Sequence, residues 1–220
     1  MPTNRKRASQ TGKATRKKDA DTAARAVMIG GALTVFLLGV GGLLLLTPSG
    51  STRITAEQAS SIGGPFTLTD QNGRLVSDQN FRGKYELLYF GYTFCPDVCP
   101  STLNDIAGAM QKLGTKAADI QPVFITIDPR RDTPQVLKRY VAAFDPRLIG
   151  LTGTEQQIAR VAREYRVYYA PHRTGPGPDD YTMDHSSVIY LIGPDGHFLT
   201  TIPADQQAAS LAADIATHIS

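Results

Sequence analysis

A chain of 220 residues, 41% hydrophobic and 20% charged with a formal net charge of +3, is long enough for one domain and an appendage. The charge is uneven: residues 1–25 hold eight of the 23 basic side chains and only two of the 20 acidic ones, leaving 15 against 18 in the rest. A mildly acidic body behind a basic tail, with no interleaving of aromatic and basic residues, argues against a nucleic-acid partner.

Residues 26–46 (AVMIGGALTVFLLGVGGLLLL) run for 21 positions without a charge. At about 1.5 Å per helical residue they span the roughly 30 Å of bilayer hydrocarbon. The run exceeds the ~7–15 residues of a signal-peptide core, and Thr47-Pro48-Ser49-Gly50 offers no small-residue cleavage pattern. No cysteine follows to accept a lipid, and no adjacent arginine pair precedes it. An uncleaved transmembrane helix is therefore expected. The excess of Lys and Arg keeps tail 1–25 in the cytoplasm and sends the C-terminal part to the other side. Residues 47–60, rich in Ser, Thr and Gly, read as a linker. Globular patterning occupies 61–220, enough for one core.

Within that domain, residues 66–69 and 74–77 flank Asn72-Gly73, which tolerate the positive φ of a tight turn and predict an N-terminal β-hairpin. Residues 85–90 (YELLYF) read as a buried strand ending at Gly91. A helix from about Pro100 follows, with Leu103, Ile106, Ala107, Met110 and Leu113 on one stripe. Residues 121–127 form the next strand. Thr133 caps a helix with Pro134 in its first position, which runs to about residue 144. Residues 148–151 make a short strand, and Thr154 with Gln157 makes a capping box for a helix that buries Ile158, Val161, Ala162 and Tyr165. Residues 170–184 hold three prolines and two glycines without periodicity, which predicts a long, functional or mobile loop. A strand at 186–192, a turn at Pro194-Asp195-Gly196, a partner strand at 197–202 and a helix at about 205–218 complete the chain. The order is α/β with a mixed sheet flanked by helices. Cysteines just beyond a strand, opening a helix, match a thioredoxin-like arrangement.

The two cysteines of the chain, Cys95 and Cys99, stand four residues apart in Phe94-Cys95-Pro96-Asp97-Val98-Cys99-Pro100. On the first turn of a helix that spacing puts both thiols on one face, near the positive end of the helix dipole, where thiolate is stabilised. Such a pair can form a redox couple or hold a soft ion. A stapling disulfide is the weaker reading, since so short a loop constrains little chain entropy. Thioredoxin-type enzymes place two residues between their cysteines and this chain places three, while a metal needs further ligands. Of four histidines, His197 in a turn and His218 in the last helical turn read as solvated, His172 lies early in the long loop, and His185 sits at a loop–strand junction. Two thiolates and an imidazole suit copper, with zinc as competitor, and Met183 or His172 is available as a fourth ligand. Spacing alone does not single out His185. A ligating histidine needs a partner for its second nitrogen, for which Asp128 and Asp184 are the candidate second-shell carboxylates. Arg130 and Arg131 read as solvated or partner-facing, and Tyr89, Phe90, Tyr92 and Phe94 as core that shields the site from water.

Three blocks, YFGYTFCPDVCP at 89–100, FITIDPRRDTP at 124–134 and MDHSSVIYLIGPDG at 183–196, together resemble the Sco/SenC family of copper chaperones, with similarity over residues 61–220. Only Ser101-Thr102 departs from the pattern, lacking the acidic residue common in the family there. The resemblance implies a thioredoxin-like domain binding one copper ion, Cu(I) or Cu(II), through Cys95, Cys99 and His185. It implies a single-pass protein of a bacterial cytoplasmic membrane with its domain on the extracytoplasmic side. The implied partner is the copper-bearing subunit of cytochrome c oxidase, whose dinuclear centre receives copper, has its cysteines reduced by the Cys95–Cys99 redox pair, or both. Another copper chaperone or thiol reductant is a further expected partner. A thiol-disulfide oxidoreductase, or a redox or copper sensor, with metal binding incidental, is the competing function.

Overall fold

A computed structural model describes residues 62–219. The predicted tail 1–25, transmembrane segment 26–46 and linker 47–60 lie outside the described residues. Among the described residues no helix is long and apolar enough to cross a membrane.

The domain opens with the predicted hairpin, β1 (Thr67–Asp70) and β2 (Leu75–Ser77). Its loop is one residue longer than a two-residue turn: Asp70 N–H bonds to Arg74 O, Gly73 adopts φ +80°, and Asp70 Oδ1 accepts from the N–H groups of Asn72 and Arg74. Then come β3 (Tyr85–Gly91), α1 (Val98–Lys112), β4 (Ile120–Thr126), α2 (Pro134–Val141), β5 (Ile149–Thr152) and α3 (Glu155–Glu164). The caps read from sequence are present. Thr133 Oγ1 accepts from Val136 N–H, and Thr154 with Gln157 forms a reciprocal box.

Seven strands form one mixed sheet in the order β2-β1-β5-β4-β3-β8-β9, where β8 is Val188–Ile192 and β9 is Phe198–Pro203. Strands β3, β4 and β5 are parallel, and β8 runs antiparallel to β3. Flanked on both sides, β3 and β4 are apolar throughout most of their length; Leu87, Leu88, Tyr89 and Phe90 are at most 1% exposed. Alternation along β3 sends Tyr89 toward Cys99 on α1 and, through Phe124, toward Tyr140 on α2; Phe90 faces Tyr165 beyond α3. Helix α4 (Ala208–His218) packs on α1.

One expectation is overturned. Residues 170–184 are not a structureless loop: β6 (Tyr169–Arg173) and β7 (Tyr181–His185) pair antiparallel as a separate two-stranded sheet. Pro171 is tolerated because the ribbon is not flanked on that side by another strand, and the remaining prolines fall in the connecting loop, closed by Thr174 N–H to Asp180 O.

Candidate metal centre

The centre forms at the C-terminal end of the parallel strands, where open α/β sheets place ligands. Strand β3 ends at Gly91, Cys95 lies in the following turn, and Cys99 in the first turn of α1. Because Tyr89 pairs with Ile189, β8 begins where β3 ends, and His185 arrives at the same edge. Cys95 does not open the helix as expected but precedes its N-cap, Asp97. That aspartate makes no side-chain cap, and Cys95 Sγ instead accepts the N–H of Cys99 at 3.4 Å. The cysteine thus takes over part of the capping role while remaining a ligand atom.

Sγ of Cys95, Sγ of Cys99 and a ring nitrogen of His185 lie within 4.8 Å of one another, about twice a metal–thiolate bond of ~2.3 Å. His185 Nε2 is 3.5 Å from Cys99 Sγ, and Nδ1 is 3.0 Å from the Ser186 carbonyl. A carbonyl only accepts, so Nδ1 carries the proton and Nε2 turns its lone pair toward the sulfurs, as a ligand requires. Tyr89 OH donates to Cys99 Sγ at 3.8 Å, and the rings of Tyr89 and Tyr92 stand edge-on to the imidazole at 6.3 and 6.1 Å.

The thiols are unlike. Both are free, but Cys99 is wholly buried and Cys95 half-buried. Hydrogen bonding from Cys99 holds the Cys95 thiol far below its usual range, at about 3, against the opposing effect of burial. The same hydrogen bond, together with burial, pushes Cys99 up. The reduced pair therefore shares one proton, with the thiolate on the more accessible sulfur.

Other predicted residues lie elsewhere. Asp128 is buried, but its carboxylate receives Arg131 Nε and Tyr181 OH, and Asp184 is exposed; the second nitrogen of His185 bonds a backbone carbonyl in place of either carboxylate. Arg130 is solvated as expected, whereas the Arg131 side chain is 9% exposed and packs among aromatic rings. Tyr89, Phe90 and Tyr92 are core, but Phe94 is 56% exposed. His172, His197 and His218 are exposed, and Met183 packs into the hydrophobic core.

Two supports escaped the sequence. Asp132, wholly buried, accepts from Thr93 N–H, Thr93 Oγ1 and Thr126 Oγ1 and so fixes the turn ahead of Cys95. Gly91 leaves room for the sulfur: a Cβ there would lie 2.8 Å from Cys99 Sγ and 2.9 Å from the Phe124 ring. A glycine closing an otherwise bulky strand was the signal for the second; nothing marked the first among the charges of Asp128-Pro129-Arg130-Arg131-Asp132.

Comparison with known proteins is consistent with this geometry. The SCO1/SenC family profile matches residues 54–220. The human mitochondrial SCO1 homolog is 40% identical over 197 residues, covering 82% of this chain but 64% of its own length, so this chain spans less than two thirds of that relative. A SCO2-like protein of Rickettsia prowazekii is 43% identical over 183 residues, or 80% of this chain and 89% of the relative. The structure of Bradyrhizobium japonicum ScoI with copper bound matches with TM-score 0.67 at 45% identity, over 72% of this chain and all of that one. Fold, sequence blocks and the converging Cys95, Cys99 and His185 agree, and the chain belongs to the SCO1/SenC family.

Proposed function

We propose that this chain is a membrane-anchored copper-binding protein that delivers copper to the dinuclear copper centre of cytochrome c oxidase during assembly, reduces that centre's cysteines, or does both. The observation that carries the reading is the convergence of two sulfurs and a correctly tautomeric imidazole within 4.8 Å. Two thiolates with one nitrogen are a soft, low-coordinate set suited to copper, and zinc would want a fourth ligand for a structural site. The copper-bound relative has the same fold. Copper is cargo here, and the residues explain both holding and release. Cys99 forms the inner wall, while Cys95 and His185, both half-buried, leave the ion open to an incoming partner's ligand. When the metal-free pair reduces a partner's disulfide it passes on two electrons and its one shared proton, the second proton coming from solvent; the resulting Cys95–Cys99 disulfide has lost both thiolate ligands, so redox state gates metal affinity.

The uncharged run 26–46 supports a single-pass anchor in a bacterial cytoplasmic membrane, with tail 1–25 inside, 47–60 as linker and the domain on the extracytoplasmic face. The copper-bearing oxidase subunit is the proposed acceptor, with a further copper chaperone or thiol reductant loading or reducing the site.

A second reading, thiol-disulfide exchange with metal incidental, is favoured by one observation: the proton asymmetry of Cys95 and Cys99 is that of an attacking and a resolving thiol. A copper titration of the reduced full chain in detergent, beside His185→Ala, separates the two. The copper reading expects one ion per wild-type chain and weakened or lost binding in the variant. Equal binding by both, or none by either, moves the function to the exchange reaction.

A further inference from the structure

The pairing of β8 on β3 brings His185 to the edge of the sheet, but the β6–β7 ribbon that carries it makes no strand pairing with the main sheet, so the orientation of the ribbon over the sulfurs calls for a further contact. The side chain that reaches across is Arg131, in the turn after β4. Its Nε donates to Asp128 Oδ2, and its Nη1 donates to two carbonyls of the hairpin, Asp179 O at 3.2 Å and Tyr181 O at 2.9 Å. The guanidinium carbon lies 3.6 Å from the ring centroid of Tyr181 on β7 and 4.7 Å from that of Phe94, the residue before Cys95. Tyr181 OH closes the circuit on Asp128 Oδ1 at 2.8 Å. One planar cation thus joins the ribbon to the strand end and the cysteine turn.

We propose that Arg131 is the positioning residue that sets His185 against Cys95 and Cys99, a role that rests on the copper reading above. A guanidinium is suited to it because a rigid fork can stack on a ring while donating in several directions; a lysine ammonium retains the charge beside Asp128 but cannot do both. Burial of Met183 in the core also holds β7, so loss of Arg131 loosens the ribbon without detaching it.

The test uses the full chain in detergent with Arg131→Lys, and Arg131→Ala as the harsher variant. Hydrogen exchange of the metal-free protein reads the ribbon itself, and chelator competition with the nitrogen hyperfine signal of bound Cu(II) reads the site. In Arg131→Lys, amides of 169–185 exchange faster while those of β3 and β4 do not. Copper binds roughly 10–100-fold more weakly, as expected for an outer-shell partner. The thiolate-to-copper absorption persists while the nitrogen signal changes. Wild-type exchange in the ribbon together with wild-type affinity overturns the proposal, as does a copper loss accompanied by uniform loosening of the whole domain. Should Arg131→Ala fail to fold, Arg131→Lys decides. If even the wild type binds no copper, the copper reading fails by itself, and ribbon exchange still reports whether Arg131 clamps it.

Discussion

Replacing Gly91 with alanine tests whether the site depends on a space as much as on its ligands. The added Cβ would sit 2.8 Å from Cys99 Sγ and 2.9 Å from Phe124 Cε2, where relaxed contacts are roughly 3.5–4.0 Å. One neighbour must retreat by about 1 Å, and both are fully buried. The backbone is also fixed, since Gly91 O accepts from Ile127 N–H at 2.8 Å. Overpacking of this kind costs about 1–3 kcal/mol, which in a domain of this size lowers Tm by about 2–4 °C per kcal/mol. Gly108→Ala is the control, because its Cβ would press equally hard, at 2.8 Å, on Ala208 between α1 and α4, away from the sulfurs. Both variants should lose stability in thermal melts, but only Gly91→Ala should lose copper affinity, by tenfold or more on the scale of outer-shell perturbations. Equal copper binding by the two variants would show that Cys99 Sγ does not occupy the position described.

Three further outcomes follow from buried or hydrogen-bonded ionisable groups. Burial raises Glu86 from 4.5 to about 7, and its Oε2 has no hydrogen-bond partner. Between those values the folded chain holds a proton that the unfolded chain has released, so stability falls as pH rises through the window, by at most about 1.4 kcal/mol per unit. Melts of Glu86→Gln across pH 4.5–8 should lack that slope; an identical slope excludes Glu86 as its source. With Cys95 held near 3, alkylation of the reduced, metal-free chain should label Cys95 quickly down to acid pH and leave Cys99 unmodified, as peptide mass spectrometry can read. Rapid labelling of Cys99 would reverse the assigned roles. Asp132→Ala strands three donors around the cysteine turn and should cost about 3 kcal/mol or more in urea unfolding; a change under about 1 kcal/mol would mean the turn is held by other contacts.

Much of this was legible because local chemistry and tertiary structure agree. Thr133-Pro134 and the Thr154/Gln157 box start helices where their side chains say they should, and the runs at β3, β4 and β8 are apolar because neighbours cover them. His185 could be placed beside the cysteines through its sequence block, although spacing alone left it open. What stayed hidden depends on contacts between distant segments. The β6–β7 ribbon is poor in alternation because a large part of it is exposed, so prolines spoke louder than pattern. Arg131 sits in a charged run that looks solvated, and only the folded chain brings Tyr181 and Phe94 onto it. The partner of His185 is a main-chain carbonyl, which no side-chain motif announces.

The donor set also joins two ends of the chain's contact range, two local donors and one distant one. Cys95 and Cys99 are neighbours in the nascent chain, whereas His185 is 86 residues beyond Cys99 and meets it across the edge where β8 pairs with β3. Closing so distant a contact carries an entropic delay that the local pair escapes. An unfolded or half-folded chain therefore offers only a dithiol, open to oxidation and to any soft ion. The third donor is supplied by the completed sheet, so the selective site and the folded state come into being together.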